Sequence, residues 1–280
     1  MKGSVAAELF LLRKRRSTWI LLGLWTALAF FFSYLLPYVE YRNGDIGGGP
    51  GQVGLEELLP DHLAGHLSGG FPFFGGVFAL MLGVLALGSE YGWGTLRTVL
   101  VQRPGRLHVF AAKLVALGAA LVPFVFGVFA VGTVSSYAIA WREGVGFTTP
   151  SAWDVLRALA AGWLILAVWA ALGVALGVLS RGTSLAIGVG ILYALVIEGL
   201  ISAFADQVSV LEPLVEFFLR ANAYSLVEGL GASTTGAATN GPGAFSGPYV
   251  AAEQALVVLL AYIAGFLLFS GVLLRRRDVT

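Results

Sequence analysis

Six apolar runs, each about as long as a bilayer is thick, leave this chain little choice of fold. They cover about 18–37, 71–89, 114–140, 153–179, 184–203 and 249–274. About 20 helical residues cross a hydrocarbon core of roughly 30 Å. Backbone groups in lipid have no water to bond, so a run of this length spans as a helix. The residue balance agrees: 12% of residues are charged, against about 25% in soluble domains. We expect an all-α integral membrane protein, with residues 1–280 forming one transmembrane domain.

The charges between the runs orient them. Placing both termini inside puts every Lys and Arg except Arg42, Arg142, Arg157 and Arg220 on inner segments, thirteen of the seventeen. Acids run the other way, with only Glu8, Glu90 and Asp278 inside. Excess Lys/Arg in short loops marks the cytoplasmic face. The expectation is a multi-pass protein of the plasma membrane with both termini cytoplasmic. Ahead of the first span, Val5, Leu9 and Leu12 recur at helical spacing and Arg13-Lys14-Arg15-Arg16 follow. That pattern predicts an amphipathic helix in the interface, its basic end among lipid phosphates. The apolar run behind it is of span length and no small-residue cleavage site follows, so it reads as a retained span and not as a signal peptide.

On the outer side, Leu55–Leu67 reads as a short amphipathic helix. His62 and His66 there have the i,i+4 spacing of a shared metal site, but no HExxH pattern or third ligand supports one, and a solvated face is the better reading. The long outer loop 204–248 begins with an expected interfacial helix pair, LEPLVEFFLRANAYSLVEGL, and continues into a Gly-rich stretch, 231–247. Glu198 is the one acid well inside an apolar run, in the outer half of the fifth span. An acid at that depth either faces a cavity or partner or lies close enough to the interface to be hydrated.

No cofactor is expected. Cysteine is absent, which removes thiolate and disulfide chemistry. There is no GxxxxGK[ST] phosphate loop, HExxH or GxSxG motif, so the chain is not expected to be an enzyme or to bind nucleic acid. A stand-alone secondary transporter or channel would call for inverted repeats and several intramembrane acids; only Glu198 answers. A non-transporting membrane anchor of a signalling complex is a further alternative.

The inner segment 90–113 decides between these. It carries Glu90-Tyr91, Gly94-Thr95-Leu96-Arg97, Arg103-Pro104-Gly105-Arg106 and Lys113. Together with the N-terminal helix around Ala7–Trp19 and the tight inner turn Ser180-Arg181-Gly182-Thr183, this ordered set resembles the membrane-spanning permease subunits of type-2 ABC transporters, an exporter-type family. The resemblance covers nearly the whole chain. It implies six spans behind an interfacial helix, and two permease subunits, as a homodimer or heterodimer. It also implies two separate ABC ATPase subunits, surrounding membrane lipids, and export of a hydrophobic or amphipathic substrate. The 90–113 loop would form the coupling helix, giving Glu90, Gly94, Thr95, Arg97, Arg103 and Arg106 the contact with the ATPase. Glu198, Tyr193, Trp25 and Phe31 are candidates for the pathway or the subunit interface. The long Gly-rich stretch departs from the family pattern and leaves the outer gate and the substrate open.

Overall fold

The computed structural model describes residues 2–44, 54–92, 105–205, 208, 212–231 and 250–276. Every regular element among them is helical. Five helices are long and apolar enough to cross a membrane: Arg16–Asn43, Phe71–Ser89, Leu107–Glu143, Ala152–Ser180 and Ala252–Arg276. In chain order we label α1 (Lys2–Lys14), α2 (Arg16–Asn43), α3 (Leu63–Ser68), α4 (Gly76–Gly92), α5 (Arg106–Glu143) and α6 (Ala152–Ser180). Then come α7 (Ser184–Leu192), α8 (Glu198–Ala205), α9 (Glu212–Val215), α10 (Leu219–Glu228) and α11 (Ala252–Arg276). The expected fifth span, 184–203, falls on α7 and α8, joined by a π turn at Tyr193–Ile197. It is not one of the five that qualify by length and composition.

Several boundaries move, each for a physical reason. The first span was expected to end near Pro37, yet α2 runs on to Asn43 and stops at Gly44, whose φ of 74° is left-handed. A proline brings no N–H to the carbonyl four residues back, here Ser33. The helix widens into a π turn over Phe31–Leu35, and His66 Nε2 donates to the Ser33 carbonyl at 2.6 Å. The third helix begins eight residues before its apolar run and spans 38 residues, about 57 Å. It therefore extends well beyond a core of roughly 30 Å. Pro123 is accommodated inside it without a break.

The centre of the bundle is the pair α4 and α6, where 78% of each apolar window is buried. Small residues let their backbones touch. A Cβ on Gly83 would lie 2.1 Å from the Ala170 carbonyl oxygen, and one on Gly173 would lie 2.2 Å from that of Leu80. In lipid, where hydrophobic contrast between helices is lost, such close approach is a main source of helix association. Trp25 of α2 and Trp169 of α6 belong to the same core, both almost fully buried. At the periphery, α2 and α11 leave most of their apolar length uncovered, including Trp19, Ile20, Val257 and Leu268.

The segments expected on the outer side are more tightly built than their composition suggests. In place of one amphipathic helix, 55–68 forms two 3₁₀ turns, Leu55–Leu58 and Pro60–His62, followed by α3. Leu58, Leu63 and Leu67 are buried. Asp61 accepts from the Thr148 backbone N–H (3.0 Å) and hydroxyl (3.1 Å), fastening this segment to the 144–151 connection. Burial would raise the Asp61 carboxyl, but these Thr148 bonds prevail and hold it below its ordinary range. Tyr38 donates to Glu143 at 2.6 Å, and Arg42 lies 3.6 Å from the same carboxylate, tying the C-terminal ends of α2 and α5.

Candidate functional site

Two polar constructions stand out in an otherwise apolar bundle. The first is a collar at the basic end, where α1 lies across the ends of α4 and α5. Lys113, only 3% exposed in its side chain, donates to Glu8 Oε1 at 2.7 Å. Arg15, in the elbow between α1 and α2, donates through Nη1 to the Leu85 carbonyl at 2.8 Å and to Ser89 Oγ at 3.2 Å. Ser89 in turn donates back to Leu85 at 2.6 Å, and Ser4 Oγ lies 3.5 Å from His108 Nε2. The tight turn after α6 completes the collar. It holds Arg181 at a φ of 53°, and a Cβ on Gly88 would lie 3.0 Å from the Gly182 carbonyl oxygen.

A charged pair this enclosed is costly to build and more costly to break, because removing one partner leaves the other buried. Its position explains its presence. Leu85 and Ser89 lie on the last turns before the 90–113 segment, and Lys113 lies at its far end. The N-terminal helix and its elbow are thus bonded to both flanks of that segment, Arg15 of the elbow to the near one and Glu8 of α1 to the far one. Sequence reasoning placed Glu8 near the start of an interfacial helix and Lys113 in the basic segment, but did not join them. The signal was there: Glu8 is the only acid in α1, on a face otherwise meant for lipid.

Of the six residues expected to contact an ATPase, Gly94, Thr95, Arg97 and Arg103 lie outside the described residues. Glu90 falls in the last turn of α4, and Arg106 is the first residue of α5. The segment expected as loop 90–113 is therefore helical at both ends: α4 persists to Gly92 and α5 starts at Arg106.

The second construction surrounds Glu198, which is fully buried. Its Oε1 accepts from the Tyr193 hydroxyl (2.5 Å) and the Leu219 N–H (2.9 Å), and its Oε2 accepts from the Arg220 N–H (3.0 Å). Leu219 and Arg220 open α10, so the carboxylate caps that helix from outside it. Four unmet N–H groups and the positive dipole end make a helix N-terminus a natural seat for an anion. The π turn at Tyr193–Ile197 brings the Tyr193 hydroxyl to the same carboxylate. Arg220 is itself buried. It donates through Nη1 to the Ala194 carbonyl at 3.3 Å, with its guanidinium 5.6 Å from the Phe73 ring centre.

The stretch expected as an interfacial helix pair is consequently drawn into the bundle. Every residue from Leu219 to Val227 is buried. Tyr262 of α11 donates to the Phe217 carbonyl at 2.7 Å, fourteen residues from the Arg276 end of its helix, about 21 Å. Non-helical backbone at that depth survives only where protein covers it, and Asn222 covers it here, its amide donating to Glu216 O (2.8 Å) and Phe218 O (2.7 Å). Arg220, expected on the outer side by its place in the sequence, is enclosed.

The other pathway candidates separate. Trp25 lies in the core, its indole N–H donating to the Phe124 carbonyl at 3.2 Å and its ring against Phe71 and Phe78. Phe31 is exposed and packs edge-on against Phe32. His62 and His66 share nothing: His66 is committed to Ser33, and no group of three or more metal ligands occurs among the described residues.

The family model described as "ABC-2 family transporter protein" matches residues 12–279 of this chain. No curated protein matches it.

Proposed function

The chain belongs to the ABC-2 transporter family, a membrane subunit of an ABC transporter, and on that premise we propose that it is an exporter-type permease driven through its 90–113 segment. Membership implies an ATPase partner, since the chain has no nucleotide-binding motif of its own. In our reading two ATPase subunits dock on two permease subunits. Glu90, Gly94, Thr95, Arg97, Arg103 and Arg106 form the contact. α7 and α8 complete six spans, with both termini in the cytoplasm of a plasma-membrane protein.

One observation carries this reading: α1 and the elbow behind it bond both flanks of the segment, the elbow through Arg15 to Leu85 and Ser89 and α1 through Glu8 to Lys113. A push on a segment held only by its two span ends would be absorbed by local bending. With both flanks bonded to α1 and its elbow, the push moves α4, α5 and α1 as a body, the rigid shift such transporters require. The backbone contact of α4 with α6 carries that shift to the centre of the bundle. The substrate class, hydrophobic or amphipathic, fits a bundle whose uncovered faces are apolar, with Phe31 on one of them.

A charge swap tests the collar. Glu8→Lys alone places two cations together and should uncouple ATP hydrolysis from transport, with the protein still in the membrane. Adding Lys113→Glu restores an opposite pair and should recover most of the coupling. Unchanged coupling in Glu8→Lys would refute the collar's role.

A further inference from the structure

At the opposite end of the bundle from the collar, three helices leave a groove of about 350 Å³, at the small end of the range for ligand sites, ~300–1,000 Å³. Its floor is sealed where α10 ends against α11: a Cβ on Gly229 would lie 2.7 Å from that of Ala252. Its depth comes from α6, where Ala160 and Ala161 present methyl groups between Arg157 and Leu164. Those four residues follow the i, i+3, i+4, i+7 spacing of one helix face. Leu226 and Leu230 form the second wall and Leu256 the third, so the lining is mainly apolar.

Two charges of opposite sign stand at this groove, Arg157 on α6 and Glu253 in the first turn of α11. Both are exposed. Neither forms an ion pair or side-chain hydrogen bond with a described residue, so they are not each other's partners. Trp153, one turn outward of Arg157, is 63% exposed, in the place where indoles mark the headgroup level. A cation and an acid set apart beside an apolar trough at that level complement a phosphate and an ammonium carried on an acyl glycerol.

We infer that this groove binds a zwitterionic phospholipid with a primary-amine headgroup. Arg157 holds the phosphate, Glu253 accepts from the ammonium, and the first methylenes of a chain lie over Ala160 and Ala161. A guanidinium offers paired N–H donors to phosphate oxygens, while a carboxylate can accept from a primary ammonium but not from a quaternary one. The groove faces the outer leaflet under the orientation proposed above.

The absence of cysteine allows a clean test on the full-length chain. Ala160→Cys would be purified into nanodiscs of phosphatidylcholine containing added phosphatidylethanolamine or phosphatidylglycerol, and labelled with a lipid-soluble maleimide; retained lipid would be measured by native mass spectrometry. Phosphatidylethanolamine should slow labelling and be retained preferentially. Arg157→Gln should weaken its retention about fivefold, the effect of one cation near a lipid surface. Glu253→Gln should abolish the preference over phosphatidylcholine while leaving phosphatidylglycerol bound. Equal retention of all three lipids by the parent protein would overturn the inference, as would a preference for phosphatidylglycerol. Disulfide-linked dimers of the Ala160→Cys variant would place a second copy in the groove and also refute it. Labelling of sealed cells with an impermeant maleimide reads orientation separately, so an inward-facing groove that still selects phosphatidylethanolamine would revise the topology and not the site.

Discussion

Replacing Glu198 with alanine should destabilise the protein more than any other single polar change in the bundle. The substitution removes the acceptor of three buried donors: the Tyr193 hydroxyl and the N–H groups of Leu219 and Arg220. A buried donor left unmet costs about 1–3 kcal/mol, so three cost at least ~3 kcal/mol. Loss of one enclosed methylene adds about 0.8 kcal/mol, bringing the expected loss to about 4 kcal/mol. At ~2 °C per kcal/mol for a chain of this size, Tm should fall by about 8 °C in detergent. Glu198→Gln keeps one oxygen for Tyr193 and Leu219 but turns an amide toward the Arg220 N–H, which costs about 1–3 kcal/mol. Tyr193→Phe removes a single bond and should cost about 1 kcal/mol. The ordering alanine, glutamine, Tyr193→Phe is the signature of a cap holding α10. If Glu198→Ala melts with the parent protein while transport changes, the carboxylate serves the pathway and the capping account is wrong.

The central helix pair makes a second prediction. Gly173→Val drives side-chain atoms into the Leu80 carbonyl and should cost about 1–3 kcal/mol or more by overpacking, read as lost membrane expression and lower Tm. Gly188→Ala, on α7 with nothing within 4 Å, should be neutral or slightly stabilising. Acid should loosen the 55–68 segment. Burial holds the His66 imidazole below its ordinary value, so its neutral form contributes stability that is complete above about pH 6.5 and is lost as pH falls toward its folded value. The lowered Asp61 carboxyl acts at still lower pH, in the same direction. Tm measured between pH 7.5 and 5 should decline, and His66→Gln, which can still donate to Ser33, should flatten that decline; an unaltered slope would contradict it.

The sequence made the helices legible because lipid imposes one rule, an apolar run long enough to span, and five of the six runs obey it. It misjudged where helices begin and end because hydropathy reports lipid contact and not hydrogen bonding. α5 starts at Arg106, in polar sequence, and α2 passes Pro37 because His66, some thirty residues away, satisfies the freed carbonyl. α10 was hidden for a related reason. Its charged and polar residues looked fit for an interface, yet Glu198, Asn222 and buried Arg220 satisfy one another's neighbourhood inside the protein. No local pattern announces a partner twenty-one residues away. Glu8 and Lys113 show the same limit, since each is an ordinary charge until the fold brings them to 2.7 Å.

The most direct test of the proposed coupling is the recovery of an ATPase subunit with the purified permease, compared between the native chain and Glu90→Ala combined with Arg97→Ala. Arg97 is not needed to fix the expected orientation, because Lys and Arg on the segments expected inside are plentiful without it, and an interfacial charge with a buried partner is worth roughly 2–5 kcal/mol. The account predicts that the native chain brings down an ABC ATPase, and that the double variant reaches the membrane at normal levels yet loses the ATPase and ATP-dependent transport. Equal ATPase recovery with full transport would contradict it and leave the 90–113 segment a basic loop resting on lipid.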